Sequence, residues 1–149
     1  MITDADISDI PGIIDCANQL YAAAGYFDQY GLEFDPEAFA AWLSERIGSP
    51  GFICLVDSAD NEVAGVIAGI VGPWTFNPSI SIAYELLYWV KPEYRSSGIG
   101  SALLAVYERR VSDLGARNVM AQPANQWSDT VGELYEKRDY KPLELFWIK

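Results

Sequence analysis

The sequence predicts a single α/β domain of the mixed α+β kind, in which a mixed, mostly antiparallel sheet carries helices on both faces. Three observations predict it. Two β-rich runs, 52–56 and 62–71, flank a turn cluster at 57–61, which demands an antiparallel hairpin. A later strand at 79–90 is followed by an amphipathic helix and another strand, and such a crossover favours a parallel pair. The 149 residues, 50% of them hydrophobic, suffice for one core, and no repeat, low-complexity tract or linker divides them.

The elements follow in the order α-α-β-β-β-α-β-α-β. Ser8-Asp9-Ile10-Pro11 is a helix start, with a cap and an early proline. Ile13, Ile14, Ala17, Leu20 and Tyr21 then recur at helical spacing, and Gly25 ends the helix. Asp35 caps a second helix with Pro36 in its first turn. Its buried stripe is Phe39, Trp42, Leu43 and Ile47, and the glycines and proline of 48–51 stop it. The three strands come next, with Gly72-Pro73 breaking the second. A helix at 98–114 turns Ile99, Leu103, Val106, Tyr107 and Leu114 inward. A short strand at 119–121, a helix at 128–138 and a closing strand at 140–149 complete the chain. In the last, Leu143, Leu145 and Trp147 alternate against Glu144 and Phe146.

Composition excludes several chemistries. There is no histidine, so Ser-His-Asp and Cys-His catalysis and H-E-x-x-H zinc sites are ruled out. Proton transfer falls to Asp, Glu, Tyr, Lys, Cys or water. No metal site is expected. Cys16 and Cys54 form no C-x-x-C pair and read as lone buried thiols of a reducing compartment. The formal net charge of −11 argues against nucleic-acid binding, which needs clustered Lys and Arg. No signal peptide or membrane-length apolar run is seen, so a soluble, cytoplasmic protein is expected.

The stretch that carries chemistry is Val90-Lys91-Pro92-Glu93-Tyr94-Arg95-Ser96-Ser97-Gly98-Ile99-Gly100-Ser101. It joins a strand to the N-terminus of an amphipathic helix. Backbone N–H groups there lack intrahelical partners, and the helix dipole adds positive charge. Two glycines allow close approach, and Arg95 can add a charge-assisted bond, so the segment suits a pyrophosphate. A Walker P-loop needs Gly-Lys-Ser/Thr, but Gly100 is followed by Ser101 and Ala102. A dinucleotide fingerprint needs Gly or Ala where Leu103 stands, and an acid about 20 positions on, which is missing around Asn118.

Arg95-Ser96-Ser97-Gly98-Ile99-Gly100 resembles the Gln/Arg-x-x-Gly-x-Gly/Ala signature of the GCN5-related N-acetyltransferase (GNAT) superfamily, and Leu134-Tyr135-Glu136-Lys137 resembles its Leu-Tyr-Glu-Lys-x-Gly-Phe segment. The resemblance covers about residue 62 to the end, and the strand 85–90 looks most like small members encoded by tailed phages. Two departures stand out. Met1-Ile2-Thr3 is too short for the family's usual first strand, and Arg138-Asp139-Tyr140 replaces x-Gly-Phe. Asp139 can still adopt a left-handed cap.

The resemblance implies an N-acetyltransferase that moves an acetyl group from acetyl-CoA to a primary amine by direct attack in a ternary complex. It implies that the amides of Arg95, Ser96, Ser97, Gly98, Ile99, Gly100 and Ser101 hold the pyrophosphate. The strand end at Trp89 and Val90 would bind the pantetheine in a splay beside Val119, and Asn125 would reach the cofactor arm. Tyr135 is the implied general acid. Glu85 is the candidate base, a charge in an otherwise apolar strand, although alternation sets it on the face of Leu87 and Trp89 unless a bulge intervenes. Tyr26, Phe27, Tyr30, Trp74 and Phe76 crowd the acceptor side; they grip an amine by cation–π contact, or pad a core or a homodimer interface. The alternative to an enzyme is a non-catalytic module of the same fold that binds acyl-CoA or a protein partner.

Overall fold

Five strands form one sheet in the order β1-β2-β3-β4-β5, as placed by a computed structural model that describes residues 1–123, 130–144 and 146–149. The strands are β1 (Ile2–Asp4), β2 (Phe52–Ala59), β3 (Glu62–Trp74), β4 (Asn77–Val90) and β5 (Ala116–Val119). The helices are α1 (Ile10–Ala24), α2 (Tyr26–Tyr30), α3 (Pro36–Arg46), α4 (Ile99–Asp113) and α5 (Thr130–Lys137). β1 to β4 pair antiparallel, and β4 pairs with β5 in parallel, as the crossover through α4 requires. The predicted mixed, mostly antiparallel sheet is therefore the observed one. No helix among the described residues is long and apolar enough to cross a membrane.

Each face of the sheet carries its own core. Ile13, Cys16 and Leu43 of α1 and α3 pack with Val56, Val66, Leu87 and Trp89 on one face. Leu103, Leu104 and Tyr107 of α4 and Tyr135 of α5 pack with Leu55, Ile67 and Ala83 on the other. Strand alternation sorts these residues, since neighbours in β2 and β3 point to opposite faces and both faces are covered.

The structure corrects five details of the sequence reading. Residues 2–4 do form a strand, because β2 supplies a ready edge and Met1's ammonium pairs with Asp57 at 3.2 Å. Tyr26–Tyr30 is a short helix between two left-handed glycines. Gly72-Pro73 does not break β3: pairing with β2 ends at Ile70, and a proline's missing N–H is tolerated on a strand with one open side. Leu114 ends the α4 stripe in solvent, as the non-helical C-cap. The short strand before α5 is 116–119 rather than 119–121.

The closing strand is absent among the described residues of 140–149, and Leu143, Phe146, Trp147 and Ile148 are exposed. Pro142 removes a ladder donor, and the apolar Phe146 and Ile148 oppose Leu143 and Trp147, so neither face dictates a register. Leu145 and Ser128 lie outside the described residues.

Gly69 makes the closest approach between helix and sheet. A Cβ there would lie 1.9 Å from the Tyr107 hydroxyl oxygen and 2.8 Å from the Tyr84 carbonyl. Gly69→Ala is expected to cost about 1–3 kcal/mol of stability through overpacking. Adding Tyr107→Phe should recover part of that loss and not all, since the ring and the Tyr84 carbonyl remain; denaturant unfolding of the single and double variants checks this.

Candidate functional site

β4 and β5 part company near the middle of β4. Their ladder runs from Ser81↔Ala116 to Tyr84↔Val119 and stops. Beyond it, residues 85–90 remain paired to β3 but have no strand on their other side among the described residues. The opening leads directly to the N-terminus of α4.

Glu85 sits where the strands part. Its register carries a bulge, because Ala68 faces Leu87 while Gly69 faces Glu85, leaving Leu86 as the extra residue. The bulge shifts the alternation, so Glu85 shares a face with Ala83 and Tyr88, not with Leu87 and Trp89. Simple alternation is thereby corrected. The Glu85 side chain is 8% exposed, and Oε2 accepts from the Ala121 amide at 2.9 Å across the gap. Burial pushes its carboxyl up to about 7, and the single amide only partly offsets this.

Buried tyrosines gather around that carboxylate. The hydroxyls of Tyr107 and Tyr135 are buried and have no hydrogen-bond partner among the described residues. Burial, then the Glu85 charge, then other phenols hold the Tyr135 phenol well above its usual range. Tyr88 is pushed up to about 12, mainly by burial. Tyr135 is placed by a tight helix end: Asp139 takes a left-handed φ of 64°, and the Tyr140 amide returns to the Tyr135 carbonyl at 3.0 Å. The Tyr140 ring lies 5.4 Å from that of Tyr135, and its hydroxyl accepts from Asn118 and donates to Glu108. The two residues expected to move protons, Glu85 and Tyr135, are thus brought into one cluster.

The expected anion cradle follows β4. A single 3-10 turn, Pro92–Tyr94, leads through left-handed Ser96 and Gly98 (φ 68° and 90°) into α4. Glycine suits Gly98 because a side chain is strained at that φ. No side chain caps α4, and the first bond into it is from the Ala102 amide to the Gly98 carbonyl at 3.0 Å. The amides of Ser96, Gly98, Ile99, Gly100 and Ser101 find no partner among the described residues. Those of Arg95 and Ser97 are spent inside the loop, on the carbonyls of Pro92 and Tyr94. The cradle therefore has five free amides where seven were expected.

Arg95 lies back across the strand end. Its guanidinium stacks 4.4 Å from the Trp89 ring centroid, and its Nε donates to the Val90 carbonyl at 3.1 Å. Trp89 in turn donates to Gln19 on α1 at 3.2 Å. Trp89 acts here through its ring, and the Val90 carbonyl is already engaged. Asn125 lies outside the described residues. Of the aromatics expected around an acceptor, Tyr26 feels the Glu85 charge, while Phe27, Tyr30, Trp74 and Phe76 are exposed. Trp74 packs edge-on against Phe76, ring centroids 5.3 Å apart. Two surface clefts, one beside Phe52 and one beside Phe34, lie away from this centre.

Sequence reasoning missed Tyr88, Tyr140, Lys91 and their partners. Tyrosine spacing was visible, but only the bulge brings Tyr88 and Glu85 to one face. The buried Lys91 could be suspected only by pairing it with acids 29 and more residues away.

The sequence model described as the Acetyltransferase (GNAT) family matches residues 18–140. No curated protein matches the chain. Among solved structures, a predicted acetyltransferase with acetyl-CoA from Clostridium acetobutylicum is 13% identical with a TM-score of 0.75, covering 100% of this chain and 94% of its own. A GCN5-related N-acetyltransferase from Ralstonia eutropha is 20% identical with a TM-score of 0.77, covering 100% and 97%. An aminoglycoside acetyltransferase from an uncultured soil metagenomic sample, in complex with sisomicin, is 16% identical with a TM-score of 0.71, covering 100% and 95%. At these identities they show a shared fold.

Glu85 binds its proton more tightly in the folded chain than in the unfolded one. The stability this gives is complete below the ordinary value of 4.5 and is lost as pH rises through about 7. Glu85→Gln should therefore stabilise the protein near pH 8 by on the order of 3 kcal/mol and have little effect near pH 4. Thermal unfolding across that range is the check.

Proposed function

Because this chain belongs to the acetyltransferase (GNAT) family, we propose that it transfers an acetyl group from acetyl-CoA to a primary amine by direct attack in a ternary complex. One observation carries the reading: the parted edge of β4 opens beside an uncapped helix N-terminus whose amides are free.

The residues present fit the cosubstrate. Five free amides at the positive end of a 15-residue helix suit a pyrophosphate, and Gly98 and Gly100 leave the backbone uncovered. The open edge of residues 85–90 offers backbone groups to an extended arm, which it would hold as an added strand. Arg95 lies at the junction and can turn from the Val90 carbonyl to a phosphate oxygen. When bound, acetyl-CoA supplies an activated acetyl thioester.

Glu85 takes the proton from the attacking amine. A base poised at about 7 is charged for much of the time at neutral pH and still basic enough to accept. Tyr135 donates its phenolic proton to the leaving sulfur. Its buried, unpartnered hydroxyl keeps that proton until a basic acceptor arrives. Tyr26 lies close enough to feel the Glu85 charge, and its ring could meet a cationic amine. Cys16 and Cys54 are buried and pushed up to about 12, chiefly by burial, so neither is a thiolate able to carry the acetyl group. This supports direct attack.

The exposed Phe27, Trp74 and Phe76 favour a second reading, a non-catalytic module of this fold that docks a protein partner. Kinetics separate the two. Tyr135→Phe is expected to lower kcat about 100-fold with acetyl-CoA affinity nearly unchanged. Arg95→Ala should weaken acetyl-CoA binding about tenfold in calorimetry, the value of one charge-assisted bond. Tight acetyl-CoA binding with no turnover across a broad amine panel would favour the module; no binding up to millimolar acetyl-CoA would remove the enzyme reading.

A further inference from the structure

Lys91 is 4% exposed, and the reaction proposed above gives it no task. Its Nζ lies 2.8 Å from Asp15 Oδ2 on α1 and 3.0 Å from Glu62 Oε2 at the start of β3. Burial alone would lower its pKa, but the two carboxylates outweigh that and the net shift is upward. Lys91 therefore stays charged. Both carboxylates are about half exposed and keep contact with water.

The backbone of Lys91 is the pivot between strand and cradle. Its amide donates to the Ala64 carbonyl at 2.9 Å, and its carbonyl accepts from Tyr94 at 3.0 Å, the first bond of the 3-10 turn. The Tyr94 hydroxyl donates to Glu62 Oε1 at 2.9 Å. Glu62 thus holds both ends of the turn, one oxygen to each. A second tether runs beside the first. Gln19, one helical turn beyond Asp15, accepts from Trp89, and the Trp89 ring carries Arg95. α1 therefore grips the chain on both sides of Val90, just before the free amides begin.

We infer that Lys91 is a positioning residue for the anion cradle: its ammonium, held between Asp15 and Glu62, sets the turn at 92–97 so that the free amides of α4 are placed in advance for a pyrophosphate. The inference rests on the acetyl-CoA reading of that site. Lys91 acts through the turn and not on the ligand, since its ammonium already serves two carboxylates toward α1 and β3. A preset cradle avoids ordering the loop on binding, and the benefit appears as affinity.

The test compares the wild-type chain with Lys91→Met, Lys91→Arg and Tyr94→Phe, by acetyl-CoA calorimetry, thermal unfolding and steady-state kinetics. Methionine fills the space and strands no buried charge, because both carboxylates reach water. Lys91→Met is expected to weaken acetyl-CoA binding about tenfold or more and to raise its KM, with kcat at saturation within about twofold. Lys91→Arg should recover most of the affinity, because a guanidinium can bridge both carboxylates. If Lys91→Met fails to fold, Tyr94→Phe carries the test, with an expected loss of about threefold. Affinity within twofold of wild type, whether or not the melting temperature falls, overturns the inference and leaves the acetyl-CoA reading standing. Failure of the wild-type protein to bind acetyl-CoA overturns both.

Discussion

Everything at this site depends on β4 having to satisfy different neighbours along its length. It pairs with β3 nearly from end to end, with β5 for only four residues, and then turns into α4. Regular alternation would set Glu85 on the same face as Leu87 and Trp89, so presenting it toward α4 requires a change of register. The change occurs at Leu86, where one extra residue lets the partner strand slip by one. Downstream of it, Leu87 and Trp89 fill the core under α1. Upstream, Ala83 and Glu85 turn toward α4. The bulge lies two residues past the last β4–β5 pair, so the change of face and the opening of the edge form one structural event.

That event explains an otherwise unfavourable collection of polar groups. A carboxylate with one hydrogen bond and two phenols with none are buried between sheet and helices. Each orphaned hydroxyl forgoes about 1–3 kcal/mol. Tyr107 is admitted only because Gly69 has no side chain, so the sheet is thinned to receive it. A domain selected for stability alone would have phenylalanine at such places. Among the described residues, three of the four buried side-chain groups with unspent hydrogen-bonding capacity, on Tyr107, Asn118 and Tyr135, lie beside the opening, and the fourth is on Tyr21.

The fold was largely legible because its signals are local. The hairpin turn at 57–61, the caps at Asp35 and Gly25 and the stripe through Leu103 and Tyr107 each state their structure within a few residues. The cradle was legible for the same reason, since a strand, a turn and a helix N-terminus follow one another in sequence. Glu85 drew attention as a charge among apolar neighbours, but its face depended on a one-residue slip that the sequence does not mark. The free amides could be located but not counted, because the 3-10 turn that uses those of Arg95 and Ser97 is a detail of backbone path. Lys91 was hidden for a different reason. Its partners come from distant segments: Glu62 reaches it through the β3–β4 pairing, and Asp15 only once α1 lies across the sheet. The closing strand misled because the alternation at 143–147 is imperfect: Phe146 and Ile148 put apolar residues on the face that should be polar.

The cluster also suggests how two proton transfers can assist each other in the proposed reaction. The Glu85 charge is one of the causes that hold the Tyr135 proton in place, second only to burial. When Glu85 accepts the amine's proton, that negative charge disappears. The phenol then becomes a stronger acid at the stage when the leaving sulfur needs a proton. Burial makes the coupling larger than it would be in water, because neighbouring charges are poorly screened there. Removing Glu85 would break this sequence in two ways, by taking away the acceptor and by acidifying Tyr135 too early. The same burial that raises Glu85 to about 7 therefore also ties its protonation to the readiness of Tyr135, and a more exposed carboxylate at this position would do neither.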